Sequence, residues 1–339
     1  MTQAEKKIHT TPSELRQDIV TGDWVVIATG RAKRPDAFAS LERVRADNPE
    51  DPFVDPEKTN EQDDILVYRQ EDGEWSLRVF PNKYPAFSSE EKVRDLSEGP
   101  YFSMTGFGYH ELFVTRDAEK PLALLETWQG AELFDAYQER YLSLMGKPDI
   151  NYIQIFHNHG KEAGASIEHP HSQLIALPAI SPYINLELSG AERYYRSNHC
   201  NVYDIVIKAE QKFKKRILYE NEHFIVFCPF ASRVAFEIWV IGKRPNPYFE
   251  RITDEEKFAL AEAMQKALFA LYSGLNDPAY NFYIHTAPCD GKDYPHYQWH
   301  IEILPRTSVW AGFELSTGIE ISTIEPEKAA EYLRGHLNS

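Results

Sequence analysis

The sequence predicts an α+β protein with two tandem duplicated domains, each a mostly antiparallel sheet flanked by helices. The first basis is a set of short alternating segments rich in β-branched and aromatic residues, which are typical of strands with a buried face. The second is a repeat, because both halves show the same order of elements. The first half runs FPNKYPAF, YHELFVT, a helical segment at 128–146, NYIQIFH and HPHSQLIALP, and the second runs VFCPFASR, AFEIWVI, a helical segment at 254–274, NFYIHTAP and HYQWHIEILP. We therefore predict one domain at 1–185 and another at 186–339.

The individual elements follow from residue spacing and end signals. Apolar residues recur at helical spacing over 128–146 and again over 254–274, where either Thr253 or Asp254 can cap the helix. The segments 36–63 and 88–105 lack such patterns and are predicted to be loops. Further helices are predicted at about 186–197, 201–214 and 325–337, and strands at 24–27, 64–69, 75–80, 109–115, 222–229, 235–241, 280–286 and 297–304.

The stretch from Asn151 to Pro178, NYIQIFHNHGKEAGASIEHPHSQLIALP, concentrates the polar residues that indicate a function. Two strand patterns enclose a polar loop that contains small residues. Alternation along the second strand places His169, His171 and Gln173 on one face. A single histidine on a strand is usually structural. The combination of asparagine, glycine, serine, histidine and glutamine in one short unit favours a functional site, with phosphate as an obvious ligand.

Within this stretch His171 is the candidate nucleophile. A neutral imidazole can attack phosphorus near neutral pH and hold a nucleotidyl group as a phosphoramidate. Gln173 can donate its amide to a phosphate oxygen but cannot deliver a proton, so the leaving group should be a good one, such as a sugar phosphate. This favours transfer between phosphates over hydrolysis. Further donors to the phosphates are expected from Asn158, Gly160 and Ser166.

The second half of the repeat lacks this nucleophile. Counting back from Pro178 and Pro305 aligns His171 with Gln298. The same count aligns the flanking positions, His169 with His296 and Gln173 with His300. We therefore expect the second copy to support the fold and to contribute to the site from the opposite wall.

Two other segments carry candidate binding residues. In GRAKRP, Arg31 and Arg34 can fork onto phosphate oxygens, although taken alone these cations are more simply explained as a solvated loop. In FPNKYP, two prolines fix an irregular path, and Asn82 and Tyr84 are candidates to face a base or a ribose.

Composition and charge limit the class of protein. The chain has 339 residues, 42% hydrophobic and 26% charged, which is typical of a soluble globular protein. A net charge of −16 argues against general binding to nucleic acid or anionic membranes. No apolar run is long enough to span a membrane, and the first residues lack the apolar centre of a signal peptide. Three widely spaced cysteines do not form a disulfide framework, so a reduced, cytoplasmic enzyme is expected.

Taken together, these motifs resemble those of the galactose-1-phosphate uridylyltransferase family in the histidine triad superfamily. The resemblance covers nearly the whole chain, through TGDWVVI, RAKRP, FPNKYP, NHG, GAS, HPHSQ, YQWHIEILP and AGFE. It implies tandem histidine-triad-like domains, a homodimer, and a ping-pong reaction in which UDP-glucose releases glucose 1-phosphate before galactose 1-phosphate accepts UMP. It also implies that His171 is uridylylated and that Gln173 steadies the phosphoryl group. Contacts to nucleotide or phosphate are implied for Arg31, Asn82, Asn158 and Ser166, and contacts to the hexose for Glu314 beside Phe313.

The resemblance also raises the question of metals. Many family members hold zinc through Cys-x-x-Cys, a downstream histidine and the first histidine of HPH. Here those places read Asp51-Pro52-Phe53-Val54 and Ala118, so only His169 is retained and zinc is not expected there. A site for zinc or iron remains open elsewhere, with a hydrogen-bonded polar cluster as the alternative, at His285, His296, His300 and Glu302. No organic cofactor is expected.

The acceptor and the base stay open. Ser308 stands where some members have a lysine near the hexose. A related group that shares NHG, HPHSQ and HIEILP acts on ADP-glucose with phosphate as acceptor. UDP-glucose with galactose 1-phosphate is the leading prediction, and adenylyl transfer or phosphorolysis of ADP-glucose is the alternative. A nucleotide-sugar hydrolase and a non-catalytic nucleotide-sugar binding protein are less favoured, because His171 and Gln173 are both present.

Overall fold

The computed structural model describes residues 12–28, 51–54, 63–89 and 93–337. The strands are β1 (Glu14–Gln17), β2 (Trp24–Ile27), β3 (Leu66–Arg69), β4 (Trp75–Pro81), β5 (Asp95–Glu98), β6 (Tyr101–Met104), β7 (Tyr109–Thr115), β8 (Tyr152–His159), β9 (His171–Leu177), β10 (Ile217–Glu220), β11 (Phe224–Phe227), β12 (Ile238–Gly242), β13 (Tyr280–His285), β14 (His300–Pro305) and β15 (Ile321–Ser322). The α-helices are α1 (Thr127–Met145), α2 (Pro182–Asn198), α3 (Val202–Phe213), α4 (Asp254–Leu275), α5 (Gly312–Thr317) and α6 (Pro326–Gly335).

A ten-stranded sheet forms the centre of the molecule, in the order β10-β11-β12-β14-β13-β8-β9-β7-β4-β3. All neighbouring strands in it run antiparallel. Each half of the chain supplies five consecutive strands, and β8 pairs with β13 where the two halves meet. The predicted fold class is confirmed, and the repeat takes the form of two halves of one sheet. The predicted boundary at residue 185 stays a prediction.

One face of this sheet is covered by α1 and α4. The apolar stripe of α1 packs there, with Tyr137 and Tyr141 fully buried. Helix α4 begins where predicted, because the Thr253 hydroxyl accepts the Glu256 amide at 3.2 Å and the Glu256 carboxylate accepts the Thr253 amide at 2.9 Å. Apolar residues that alternate along the four central strands complete this core, among them Ile155, Leu174, Phe282 and Ile301.

Among the described residues, two apolar clusters cover the opposite face toward its two ends. In the second half, α2 and α3 pack over β11 and β12 and bury Tyr203 and Trp239. In the first half, a small cluster of Phe53, Phe80, Leu112 and Val114 covers β4 and β7. Between these two clusters the face carries polar side chains of β8, β9, β13 and β14. The candidate site lies on this polar strip, which separates the two apolar clusters.

Three predictions about elements need correction. The segment 88–105 was predicted to be a loop, but it contains the hairpin β5–β6, joined at Gly99 with φ 58°. Its eight strand residues are all exposed, so the sequence shows no buried–exposed alternation. The strand predicted from 297 begins only at His300. Tyr297 and Trp299 precede it in an irregular segment, where both side chains are buried. Strand β9 likewise begins at His171, so His169 precedes it.

A smaller three-stranded sheet joins the two ends of the described chain. Strand β2 pairs antiparallel with β1 and parallel with β15, and Arg16 of β1 reaches Glu327 of α6 at 3.0 Å. No helix in the described part of the chain is both long and apolar enough to cross a membrane.

Candidate active site

His171 opens strand β9 on the polar strip. Strands β8 and β9 pair through Phe156 with Gln173 and His157 with Ser172. One position further along, Asn158 and His171 lie on neighbouring strands, and alternation puts both side chains on the same face as Gln173. The predicted nucleophile, the predicted phosphate donor and one predicted nucleotide-binding residue are therefore brought together.

Hydrogen bonding fixes which nitrogen of His171 can react. Its Nδ1 lies 2.8 Å from the carbonyl oxygen of His169. Because a carbonyl can only accept, Nδ1 carries the hydrogen and Nε2 keeps its lone pair. The edge of the Phe53 ring packs 5.2 Å from the imidazole, between ring centroids, and the residue is only 7% exposed. Burial lowers the pKa of His171 below its ordinary value, which keeps the ring neutral and nucleophilic.

Gln173 is connected to Asn82 through His110. Its Oε1 lies 2.8 Å from Nε2 of His110 on β7, and Asn82 Nδ2 lies 3.2 Å from the same nitrogen. The Asn82 carbonyl oxygen accepts the Tyr84 amide at 2.9 Å, while the Tyr84 side chain is 83% exposed. The structure thus brings Asn82 beside Gln173. Tyr84 projects into solvent.

The loop after β8 holds the other predicted phosphate donors. Gly160 has φ 82°, a conformation that L side chains rarely adopt, and its carbonyl accepts the amides of Ala163 and Ala165. Ser166 follows on the exposed side of the loop. Asn158 accepts a 2.7 Å hydrogen bond from Asn281 of β13, which fixes its carboxamide orientation. The sequence analysis missed Asn281, although alternation along β13 places it on the same face as Tyr283 and His285.

A cavity of about 450 Å³ lies beside these residues, where the two halves of the sheet meet. Polar side chains of β8 and β13 form part of its lining. Arg306 and Trp310, which are exposed, also line it. Residues from both halves line it, namely Gln154, Phe156, Asn158, Tyr183, Arg233, Asn281, Phe282, Tyr283, His285, Leu304, Arg306 and Trp310. Its size and its mixed lining suit a sugar or sugar phosphate, and it reaches the candidate nucleophile's neighbour on β8, Asn158.

A cluster of four buried ligand-type side chains lies on the same face, formed by Glu187, His285, His300 and Glu302. The prediction of His296 as a member is wrong, because that ring stacks on Tyr195 with centroids 3.6 Å apart. Glu187 of α2 takes the fourth place and contacts His285 Nδ1 at 3.0 Å. The sequence offered little sign of Glu187, since a single glutamate in a mixed helix pattern resembles a surface residue.

The geometry of this cluster fits a cation. His300 donates Nδ1–H to the Gln298 carbonyl at 3.0 Å, so Nε2 turns its lone pair toward Glu302 Oε1 at 3.5 Å. Within the described part of the chain, neither of these two buried atoms has a hydrogen-bond partner. Burial acts to raise the pKa of Glu302, but the positive charge of Arg233 outweighs it and holds that pKa below its usual range. An ionised carboxylate facing a ring nitrogen is stabilised by a metal ion or by a proton on the ring.

At the place of the family's cysteine-containing zinc site, the residues present do not fit a metal. His169 Nδ1 lies 2.8 Å from Asp51 Oδ2, and its Nε2 lies 2.5 Å from the Thr115 carbonyl oxygen. Both ring nitrogens already have partners within the chain, so the ring is not free to bind a metal. The Asp51–His169 contact instead holds the segment that contains Phe53, whose ring packs against both His169 and His171.

The remaining predicted residues lie elsewhere. Arg31 and Arg34 fall outside the described residues. Glu314 and Phe313 lie on the short helix α5, where the Glu314 carboxylate accepts the Ala311 amide at 3.1 Å and the Phe313 ring is 47% exposed. Their predicted role in sugar binding stays a prediction. Helix α5 begins two residues after Trp310, which lines the cavity.

The sequence is similar to a known enzyme family. A family model described as galactose-1-phosphate uridyl transferase, N-terminal domain, matches residues 2–181, and a domain of unknown function matches 134–339. The chain is 32% identical to ADP-glucose phosphorylase of Arabidopsis thaliana over 95% of its length and 92% of the relative's. It is 28% identical to galactose-1-phosphate uridylyltransferase of Thermotoga maritima over 95% and 98% of the two chains.

Solved structures show the same relationship. A crystal structure of ADP-glucose phosphorylase from Arabidopsis thaliana with bound ADP-glucose superposes with a TM-score of 0.81 at 31% identity, covering 96% of this chain and 98% of that one. A structure described as uridylyltransferase superposes with a TM-score of 0.74 at 23% identity over 96% and 98% of the chains. At that identity the second match supports the fold alone.

The burial of His171 leads to a testable pH dependence. We expect its imidazole to titrate below pH 6.5, the ordinary value for histidine, because desolvation disfavours the charged ring. Nitrogen-15 NMR titration of the folded protein, with the His171→Ala variant to assign the signal, measures this. A midpoint above 6.5 would contradict a neutral nucleophile held by burial.

Proposed function

Because the chain belongs to the galactose-1-phosphate uridylyltransferase family of nucleotidyltransferases, we propose that it moves a nucleotidyl group from a nucleoside diphosphate sugar to a phosphate-bearing acceptor through a covalent intermediate on His171. The observation that carries the proposal is the fixed tautomer of His171, with Nδ1–H on the His169 carbonyl and Nε2 available. A buried, neutral imidazole with one nitrogen committed is suited to nucleophilic attack at phosphorus.

In the first half-reaction, the Nε2 lone pair attacks the α-phosphorus of the sugar nucleotide. The P–N bond forms as the bond from phosphorus to the bridging oxygen breaks, and the sugar phosphate leaves with that electron pair. Positive charge then develops on the ring, where the hydrogen bond from Nδ1–H to the His169 carbonyl stabilises it. The amides of Gln173 and Asn158 lie on the same face to receive the non-bridging oxygens.

In the second half-reaction, a phosphate oxygen of the acceptor attacks the same phosphorus, and the P–N bond breaks to restore neutral His171. No proton need be delivered to either leaving group, because a sugar phosphate and an imidazole both leave readily. Gln173, which can donate a hydrogen bond but not a proton at neutral pH, is suited to this exchange between phosphates.

Two donors remain candidates within this mechanism. UDP-glucose with a hexose 1-phosphate, galactose 1-phosphate in particular, follows from the family and would place the enzyme in galactose metabolism. ADP-glucose is favoured by the 32% identity to an ADP-glucose phosphorylase and by Ser308 at the position where some uridylyltransferases have lysine. Both donors leave glucose 1-phosphate, so the cavity that reaches Asn158 serves either one.

The donor is tested by intact mass after incubation with UDP-glucose or ADP-glucose. We expect an added UMP or AMP residue on the wild type and none on His171→Ala, with turnover reduced by at least about 10³-fold. His296→Ala is the matched control, since that ring stacks on Tyr195 away from the site. Galactose 1-phosphate or inorganic phosphate should discharge the adduct. A folded wild type that forms no adduct, whether it releases free sugar phosphate or only binds, would sink the proposal.

We also propose that Glu187, His285, His300 and Glu302 hold one divalent zinc or iron ion. Two imidazoles and two carboxylates suit such borderline metals. The ion would tie α2 to β13 and β14. It would supply positive charge where two buried carboxylates, Glu237 and Glu302, share Arg233 and a third, Glu187, contacts His285. No organic cofactor is part of the proposal.

The metal content of the purified protein, measured by inductively coupled plasma mass spectrometry, tests this site. We expect about one equivalent per chain in the wild type and loss of it in Glu187→Ala, together with a lower melting temperature, because four ligands would bridge three elements. Glu222→Ala is the control, as it belongs to a largely exposed cluster with His223 and Glu255. Stoichiometric metal retained by Glu187→Ala would contradict the assignment.

We further propose a homodimer that buries the segment around α5. On the single chain, Val309 is 91% exposed, Leu315 72%, and Trp310 and Phe313 more than 40% each. Four large apolar side chains so close together favour contact with another protein surface. Light scattering should give the mass of two chains, and Leu315→Asp should shift it toward one. Leu142→Asp, at another exposed leucine, is the control. A wild-type monomer would contradict the proposal.

A further inference from the structure

The tautomer of His110 can be read from its surroundings. The backbone amide of Ala86 lies 3.2 Å from Nδ1 and is an obligate donor. Nδ1 must therefore be the unprotonated nitrogen, and in the neutral ring the hydrogen sits on Nε2. The side-chain Nδ2 of Asn82, 3.2 Å from Nε2, is itself a donor and cannot accept this hydrogen, which leaves Gln173 as its acceptor. Burial lowers the pKa of His110, which favours this neutral form.

This tautomer decides how the Gln173 carboxamide is turned. The hydrogen on His110 Nε2 points to the Gln173 atom 2.8 Å away, so that atom must be an acceptor, the oxygen Oε1. The amide NH2 group then lies on the side away from His110. Gln173 is flanked on one side by β7 and on the other by β8, where Phe156 is its paired residue and Asn158 follows on the same face.

We propose that His110 is a positioning residue, which locks the side chain of Gln173 so that its NH2 group, rather than its carbonyl oxygen, faces the phosphate attacked by His171. This role rests on the proposed nucleotidyl transfer. It is a device distinct from the nucleophile, because His110 itself need not touch the substrate.

A lock of this kind is needed because a free carboxamide turns easily. The terminal torsion of glutamine is broad and roughly two-fold, so the two amide orientations differ little in energy without a specific partner. A flipped amide would present an oxygen to the anionic phosphate and would repel it. Fixing the donor in advance removes this reorganisation from the reaction.

His110 also connects Gln173 to the segment from Asn82 to Ala86. The backbone amide of Asn82 donates to the backbone carbonyl of His110 at 2.8 Å, and the backbone amide of Ala86 donates to the His110 ring. The segment from Asn82 to Ala86 therefore sets the tautomer that orients Gln173. Movement of this segment would change the orientation of His110 and, through it, that of the Gln173 carboxamide.

A double-mutant cycle on the first half-reaction tests the proposal. We expect His110→Phe to slow adduct formation by about 10²-fold with little change in the KM of the sugar nucleotide, as for loss of one oriented donor. Gln173→Ala should cost a similar factor, and the double variant should be no slower than Gln173→Ala alone, because both changes remove the same interaction. His110→Gln, which keeps a donor near the position of Nε2, should recover part of the rate.

NMR separates this role from the proposed function. Long-range proton–nitrogen spectra at neutral pH should show His110 with its hydrogen on Nε2, and unchanged melting temperatures in His110→Gln and Gln173→Ala show that folding is intact. Additive losses in the double variant, or a hydrogen on Nδ1, would overturn the role of His110 while adduct formation by the wild type keeps the proposed function. Absence of an adduct on the wild type would overturn both.

Discussion

The pairing of β8 with β13 is the interaction on which the rest of the structure depends. It runs from Tyr280 opposite His159 to Ile284 opposite Ile155 and joins two five-stranded halves into one sheet. On one face it completes the core under α1 and α4. On the other it places Asn158 beside Asn281, so that a residue of the second half orients a residue next to the candidate nucleophile. Neither half would bury its inner strand without the other.

The two copies of the repeat carry different polar residues on either side of the β8–β13 pairing, which we call the seam. Strand β9, next to β8, carries His171 and Gln173, and strand β14, next to β13, carries His300 and Glu302. Gln298, which aligns with His171, accepts the Asn246 amide at 2.8 Å and turns its NH2 toward two backbone carbonyls. Its hydrogen bonds hold the backbone that follows β12, from Gly242 to Asn246. The second copy thus supports the site from the far side of the seam.

Some buried charged groups are likewise held by partners from distant segments. Arg233 lies over the Tyr183 ring at 4.9 Å, donates to the Tyr283 hydroxyl at 2.8 Å and is ion-paired with Glu302. His169 is held by Asp51, and through Phe53 this pair closes over His171. These contacts replace water around the site with fixed dipoles and charges, which a protein of net charge −16 needs wherever it binds phosphate.

The sequence by itself determined the features that depend on neighbours along the chain. Periodicity located α1 and α4, alternation located β7 and most of β8, and the spacing in HPHSQ singled out His171 and Gln173 as residues of one strand face. The repeat located the second half of the sheet. Tertiary structure alone decided which distant side chains meet: Glu187 with His285, Asp51 with His169, and His110 with Gln173. The reason is physical, since local spacing fixes the direction of a side chain, whereas its partners depend on the order in which strands pair.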